Sequence, residues 1–170
     1  MRKTNGFTSL ALAVLLLVHV VHNLTRLGAG ITFEALQSLF PALAWMCVVL
    51  SILHIGLSGG TSTTMLNDVE RPPSPRKKRH LVLKWATGIA LALSAGLHIG
   101  HAMGFVAHGS ATFFWGSLLA TLVFLGMHMY TGARSLLKDI GLPTPWKTAV
   151  RVVVVVCTFA ACVALYTIAT

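Results

Sequence analysis

The sequence has few charged residues, and very few acidic ones. Only 10% of its 170 residues are charged, with 4 Asp and Glu against 13 Lys and Arg. A soluble domain carries about a quarter charged residues, so this chain cannot cover a water-facing surface. With 55% apolar residues and a positive mean hydropathy, it is predicted to be an integral membrane protein, which excludes a soluble enzyme and a disordered tail.

The three cysteines also lack the spacing of a cysteine-based site. Cys47, Cys157 and Cys162 lie in apolar stretches, and no CxxC or CxxCH motif is present. This argues against a disulfide framework, a cysteine zinc site and a covalently attached haem. The net charge of +9 does not predict nucleic-acid binding, because the basic residues flank apolar runs and do not line one face.

Five stretches are long and apolar enough to be transmembrane helices, which need about 20 residues. They cover residues 7–25, 33–57, 81–106, 112–131 and 149–168. The first follows Arg2 and Lys3 and so resembles a signal peptide. Its apolar run is long for one, however, and no small-residue cleavage site follows, so we expect a true span. The predicted fold is all-α, a single transmembrane domain of five helices.

The basic residues predict the orientation of the helices. Residues 58–80 form the longest connection, and their prolines predict a loop that ends in a basic run at residues 76–79. Of the 13 Lys and Arg residues, only Arg26 falls on the opposite side from the N-terminus. By the positive-inside rule, the N-terminus is then cytoplasmic and the C-terminus lies outside. The expected location of the protein is the inner (cytoplasmic) membrane of the cell.

Six of the 8 histidines lie within the predicted spans, where ionisable side chains are costly and usually functional. They are His19 and His22 in the first span, His54 in the second, His98 and His101 in the third, and His128 in the fourth. Each lies toward the C-terminal end of its helix, and successive helices run antiparallel. Spans one and three therefore carry histidines in the outer half of the bilayer, and spans two and four in the inner half. At about 1.5 Å rise per residue, the two levels are about 13 Å apart.

Two facing imidazoles at each level are the ligand set of a six-coordinate haem iron, and helical bundles hold such cofactors in their cores. Zinc usually takes four ligands in one tetrahedron, which two separated pairs fit poorly. A single buried histidine can also be no more than a hydrogen-bonding group between helices. The preferred ligand pairs are His19 with His98 at the outer level, or alternatively His22 with His101, and His54 with His128 at the inner level.

Haem propionates reach toward the membrane interface, where basic side chains can bind them. Arg26 is the candidate for the outer pair, and Lys84 or Arg134 for the inner pair. Glycines beside the histidines predict either room for a planar ring or tight helix packing; they include Gly56, Gly96 and Gly126.

This pattern resembles the dihaem cytochrome b membrane subunit of the succinate dehydrogenase and quinol:fumarate reductase family, in its five-helix, single-subunit form. That family carries one axial histidine on each of its first four helices and none on the last, and the likeness covers the whole chain. Residues 128–139, HMYTGARSLLKD, are similar to the family's histidine, glycine and basic residue that run from a late helix into the cytoplasm.

The resemblance implies two haem b groups and a quinone or menaquinone substrate near the outer haem. Electrons would pass to or from cytoplasmic iron–sulfur and flavoprotein subunits, so the chain would be the electron-transfer subunit of an oxidoreductase, in a complex that can be dimeric. The basic run at residues 76–79 would dock the iron–sulfur subunit, or bind anionic membrane lipid. The alternatives are a cytochrome b anchor of a different reductase, a histidine-lined metal-ion or proton transporter, and a haem-free structural anchor.

Glu34 is the acid predicted on the outer side, just before span two and near the outer histidine level. As a candidate catalytic residue it accepts a proton released by quinol. Alternatively it is an acid in the first turn of a helix that Thr32 caps, where the helix dipole favours a negative charge.

Overall fold

A computed structural model of the chain describes residues 2–30, 38–70, 72–105, 111–143 and 145–170. Within these residues the fold is all-helical, with α1 (Arg2–Ala29), α2 (Phe40–Leu66), α3 (Pro75–Ala102), α4 (Ala111–Asp139) and α5 (Trp146–Ala169). Each helix is long and apolar enough to cross a membrane. The predicted fold class is confirmed, and the chain is a multi-pass membrane protein.

The loop predicted for residues 58–80 is shorter than expected, because α2 continues to Leu66 and α3 begins at Pro75. Several hydroxyls in the extension of α2 donate to backbone carbonyls of the preceding turn; they belong to Thr61, Thr63 and Thr64. Proline can open a helix because the first N–H has no partner within the helix. The basic run at residues 76–79 therefore lies in the first turn of α3, where all four side chains are exposed.

α3 and α4 end in the same way, at a glycine. Gly104 and Gly141 have φ of 74° and 81°, a left-handed conformation that is costly for other residues. Next to Gly104, the backbone N–H of Phe105 donates to the carbonyl oxygen of Gly100 over 2.9 Å, as in a Schellman cap. With Gly104 in this conformation, α3 ends at Ala102, before the predicted end of that span at Val106, which lies outside the described residues.

The side chains are sorted in the opposite way to those of a water-soluble domain. Large apolar side chains are widely exposed, including Val14, Val49, Leu93 and Val156. Polar side chains are prominent among the buried residues that the structure describes; they include Asn5, His22, Ser58, Thr87, Ser94, His101, Ser117 and Thr131. Since lipid is as apolar as leucine, helices in a membrane gain from small and polar contacts between them.

The helices fall into two compact units. The first consists of Met1–Ser74 and Arg134–Trp146, and within it α1 packs along α2. The second consists of Pro75–Ala133 and Lys147–Thr170, and contains α3, most of α4, and α5 after its first residue.

Close approaches at glycines show where helices touch within each unit. In the first unit, a Cβ atom added to Gly6 would lie 3.0 Å from Cβ of Asp139, so the start of α1 lies against the end of α4. In the second unit, a Cβ atom added to Gly126 would overlap the side chain of Thr158 on α5.

Candidate functional site

In the first unit, His54 of α2 is held by a polar cluster on α1. Its ring Nδ1 lies 3.0 Å from Oγ of Ser9 and 3.1 Å from Oδ1 of Asn5. Asn5 is only 5% exposed, and Oγ of Ser58 donates to its Oδ1 over 3.4 Å. The cluster therefore surrounds one side of the imidazole with oxygen atoms from both helices.

The hydrogen bonds of Ser9 determine which nitrogen of His54 carries the proton. The Ser9 hydroxyl donates its single proton to the backbone carbonyl oxygen of Asn5, at 2.6 Å. It can therefore only accept from His54, and the Asn5 side-chain oxygen is also an acceptor. Nδ1 of His54 is thus the protonated nitrogen, and in the neutral ring the basic lone pair is on Nε2.

In the second unit, His128 of α4 has an equivalent partner on α3. Its Nδ1 lies 3.3 Å from Oγ1 of Thr87, and the ring also hydrogen-bonds to the backbone of Lys84. The Thr87 hydroxyl lies 3.0 Å from the carbonyl oxygens of Leu83 and Lys84 and donates to its own helix. It therefore accepts from His128, which again has its proton on Nδ1 and its lone pair on Nε2.

A glycine gives the His128 ring its place against α3. A Cβ atom added to Gly88 would lie 3.1 Å from Cε1 of His128 and 3.3 Å from its Nδ1. These separations are tighter than ordinary van der Waals contact, so any larger residue at this position would have to push the imidazole away. Gly88 therefore leaves the space that the His128 ring occupies against α3.

The two histidines of α1 pack around one aromatic ring. The rings of His19 and His22 lie 5.0 Å and 4.4 Å from the ring of Phe40, between centroids. His22 is only 2% exposed, and its Nδ1 has no hydrogen-bond partner among the described residues. Both histidines are thus in the α1–α2 contact, at the end of α1 opposite to the Asn5 cluster.

The second unit also packs a histidine of its first helix against phenylalanine rings. His101 of α3 is 5% exposed and makes edge contacts with the rings of Phe113 and Phe114, with centroids 5.4 Å and 6.0 Å away. Its Nε2 has no hydrogen-bond partner within the described part of the chain. His98, three residues earlier on the same helix, is half-buried.

The α1–α2 and α3–α4 pairs therefore carry the same set of groups. The first helix of each pair supplies a His-x-x-His motif and a hydroxyl bonded to its own backbone. The second helix supplies one histidine, oriented by that hydroxyl, and a phenylalanine that contacts the first helix's motif. Phe40 precedes His54 by the same number of residues as Phe114 precedes His128.

The other predicted site residues have varied surroundings. Arg26 and Arg134 are exposed, whereas the backbone of Lys84 contacts His128. Glu34 and Thr32 lie outside the described residues. Both predicted pairings, His19 with His98 and His54 with His128, join histidines of different units and stay predictions.

The glycines beside the histidines were predicted either to leave room for a planar ring or to allow tight helix packing, and they differ in this respect. Among the described residues, an added Cβ on Gly56 or Gly96 would meet nothing within 4 Å, whereas one on Gly126 would overlap Thr158. Gly126 thus allows close packing of α4 against α5, and the other two leave open space.

Several residues of the site were not predicted from the sequence, namely Asn5, Ser9, Phe40, Thr87, Gly88 and Phe114. One signal was available, because a Ser or Thr lies about three helical turns before each His-x-x-His motif. Hydroxyls are common in transmembrane helices, however, and the sequence does not say which of them faces a histidine on the next helix.

The donor set fits a non-covalently bound haem. Imidazoles are axial ligands of haem iron, and a ligating histidine usually donates its second N–H to a neighbouring acceptor, as His54 and His128 do. The buried ring nitrogens of His22 and His101 each cost about 1–3 kcal/mol if nothing pairs with them. Among the described residues, no three His, Cys, Asp or Glu side chains come together in a way that could hold a bare metal ion.

Comparison with known proteins identifies no relative of the chain. No protein-family model, curated protein or solved structure matches the chain.

Proposed function

We propose that the chain is a membrane-embedded dihaem cytochrome b that passes electrons between the quinone pool and a cytoplasmic iron–sulfur and flavoprotein partner. The membrane subunits of succinate dehydrogenase and fumarate reductase are the family it resembles. The observation that carries the proposal is the repeated setting of His54 and His128. In each helix pair, a hydroxyl already bonded to its own backbone accepts the Nδ1 proton of the histidine.

This setting is typical of a histidine that binds a metal. A metal binds the nitrogen that has no proton, and the hydrogen bond at the other nitrogen sets both the tautomer and the direction of the ring. A histidine that only joined two helices could use either nitrogen and either tautomer. Finding the same tautomer in two separate helix pairs favours a shared chemical role for Nε2.

Four imidazoles suffice for two haem groups. His54 and His128 are the proposed ligands of the inner haem, and His19 and His98 of the outer one, with His22 and His101 as the alternative outer pair. Bound haem iron would supply one-electron redox chemistry at a potential that its axial ligands and their hydrogen bonds set. Arg26 would neutralise propionate charge at the outer haem, and Lys84 or Arg134 at the inner haem.

The partner is proposed to bind on the basic face of the protein. The side chains of residues 76–79 are exposed in the first turn of α3, where the helix dipole disfavours positive charge. An acidic surface on an iron–sulfur subunit would offset that cost, and anionic lipid is the competing occupant. By the positive-inside rule, we expect this face on the cytoplasmic side of the inner membrane.

Quinol oxidation is proposed on the opposite face, with Glu34 as the proton acceptor. The residue can be tested by itself, because a carboxylate that takes up a proton cannot be replaced by an amide. Glu34→Gln should lower quinol oxidation while both haems stay in place. Unchanged turnover with intact haems would refute this role of Glu34.

The decisive experiment is a reduced-minus-oxidised absorbance spectrum of the purified chain, together with a count of haem per chain. We expect a b-type α band and two haems. The matched control is His80→Ala, because His80 lies before the third predicted span and is not a proposed ligand. A colourless preparation would refute the proposal in favour of a histidine-lined transporter or a haem-free anchor, and a band unaffected by replacing any proposed ligand would refute the ligand set.

A further inference from the structure

We infer that Ser9, together with Asn5, and Thr87 are positioning residues that hold His54 and His128 in the iron-binding tautomer. The inference rests on the proposed function for the identity of the ligand, but the hydrogen bonds that carry it belong to the protein alone. None of these three residues is a proposed ligand of the iron. Each acts through the histidine of the following helix.

The orientation of each hydroxyl is determined by its own helix. The Ser9 proton is used in the 2.6 Å bond to the carbonyl oxygen of Asn5, and the Thr87 proton in a 3.0 Å bond to the preceding turn. Back-bonding of this kind is common for hydroxyls within helices. A hydroxyl without a second proton cannot donate to imidazole, so the reversed tautomer would place a nitrogen lone pair against an oxygen lone pair.

Asn5 makes the setting of His54 stronger than that of His128. Its Oδ1 lies 3.1 Å from Nδ1 of His54, and Oγ of Ser58 donates to the same oxygen over 3.4 Å. A buried amide that already accepts from Ser58 keeps its oxygen directed into the cluster. Nδ1 of His54 therefore has two side-chain acceptors, whereas the acceptors near His128 are one hydroxyl and the backbone of Lys84.

The loss of these acceptors should weaken the bond to iron without removing the ligand. A hydrogen bond at Nδ1 makes the opposite nitrogen a better donor, and second-shell replacements typically cost about 10- to 100-fold in metal affinity. We expect the double variant Asn5→Leu/Ser9→Ala to lose haem about 10- to 100-fold faster than the unmodified protein. Thr87→Val should show about a tenfold effect, because the backbone of Lys84 remains.

The test measures haem loss from the full-length protein to an excess of a haem-scavenging apoprotein, and the electron paramagnetic resonance spectrum of the oxidised haems. Matched controls remove hydroxyls that are bonded to their own helix in the same way but for which the structure gives no histidine contact. These are Thr8→Val, whose hydroxyl donates to Thr4, and Thr121→Val, whose hydroxyl donates to Ser117. Thr87→Ser restores the hydroxyl and should restore both haem retention and the spectrum.

Faster haem loss and a shifted spectrum in Thr87→Val, reversed in Thr87→Ser and absent in Thr121→Val, would support the inference. Haem loss at the same rate in the positioning variants and in the controls would overturn it and leave the proposed function standing. If the unmodified protein contains no haem, the proposed function fails, and nitrogen-15 NMR of labelled histidines then decides the inference. Protonated Nδ1 on His54 and His128, lost in the variants, would support the positioning roles, and any other tautomer would overturn them.

Discussion

The close approach of α4 and α5 at Gly126 can be tested quantitatively by adding a methyl group there. In Gly126→Ala, the new Cβ would lie 2.9 Å from Cβ of Thr158 and closer still to the two atoms beyond it. Real Cβ atoms do not approach side chains this closely, so one helix has to move. The Thr158 side chain has little freedom to yield, because it is β-branched and its hydroxyl donates to the carbonyl oxygen of Val154 over 2.7 Å.

The expected magnitude follows from two opposing effects. Alanine gains about 1 kcal/mol over glycine within a helix, and overpacking a tight contact costs about 1–3 kcal/mol. The matched control is Gly96→Ala, where an added Cβ meets no atom of the described residues within 4 Å and only the gain applies. The free energy of unfolding of Gly126→Ala should therefore lie about 1–3 kcal/mol below that of Gly96→Ala.

The assay is reversible unfolding in mixed micelles, followed by far-ultraviolet circular dichroism. Combining Gly126→Ala with Thr158→Gly moves the small residue to the other helix and should recover about 1–3 kcal/mol as a favourable coupling energy. Equal stability of Gly126→Ala and Gly96→Ala, or purely additive effects in the double variant, would refute the close approach of α4 and α5.

The ligand pairs, the space at Gly88 and the membrane orientation can be tested in the same way. His54→Ala and His128→Ala should lose one haem, and His19→Ala and His98→Ala the other. The two-level arrangement is wrong if His54→Ala and His98→Ala abolish the same haem, and the alternative outer pair is right if His22→Ala has the effect expected of His19→Ala. Gly88→Ala brings a Cβ to 3.1 Å from the His128 ring and should alter the spectrum of the inner haem, whereas Gly96→Ala should not; identical spectra would contradict a ligand role for His128. A reporter fused to Thr170 should be external and one inserted at Ser74 cytoplasmic. Finding both on one side would mean that one of the predicted spans does not cross the membrane.

The sequence by itself determined that the chain is helical and has five stretches long and apolar enough to cross a membrane. Hydropathy over a span is a local property, because each helix satisfies its own backbone hydrogen bonds in lipid whatever its neighbours are. The histidines could be assigned to helices for the same reason, and their depths, which follow from distance along a helix, stay predictions. Helix ends were predicted less well, because the threonines after Leu57 extend α2 and the Schellman cap at Gly104 stops α3 early.

Only the tertiary structure decided which side chains meet within each unit. Which face of α1 lies against α2 determines that Ser9 contacts His54 while Thr8 points elsewhere, and the close approach at Gly126 determines that this glycine packs on Thr158. Hydrophobic patterning predicts such faces in a soluble protein, because one side of each helix avoids water. In a membrane, both lipid and protein are apolar, so the rotation of a helix about its axis depends on small residues and polar contacts between helices, which are visible only once the helices are packed.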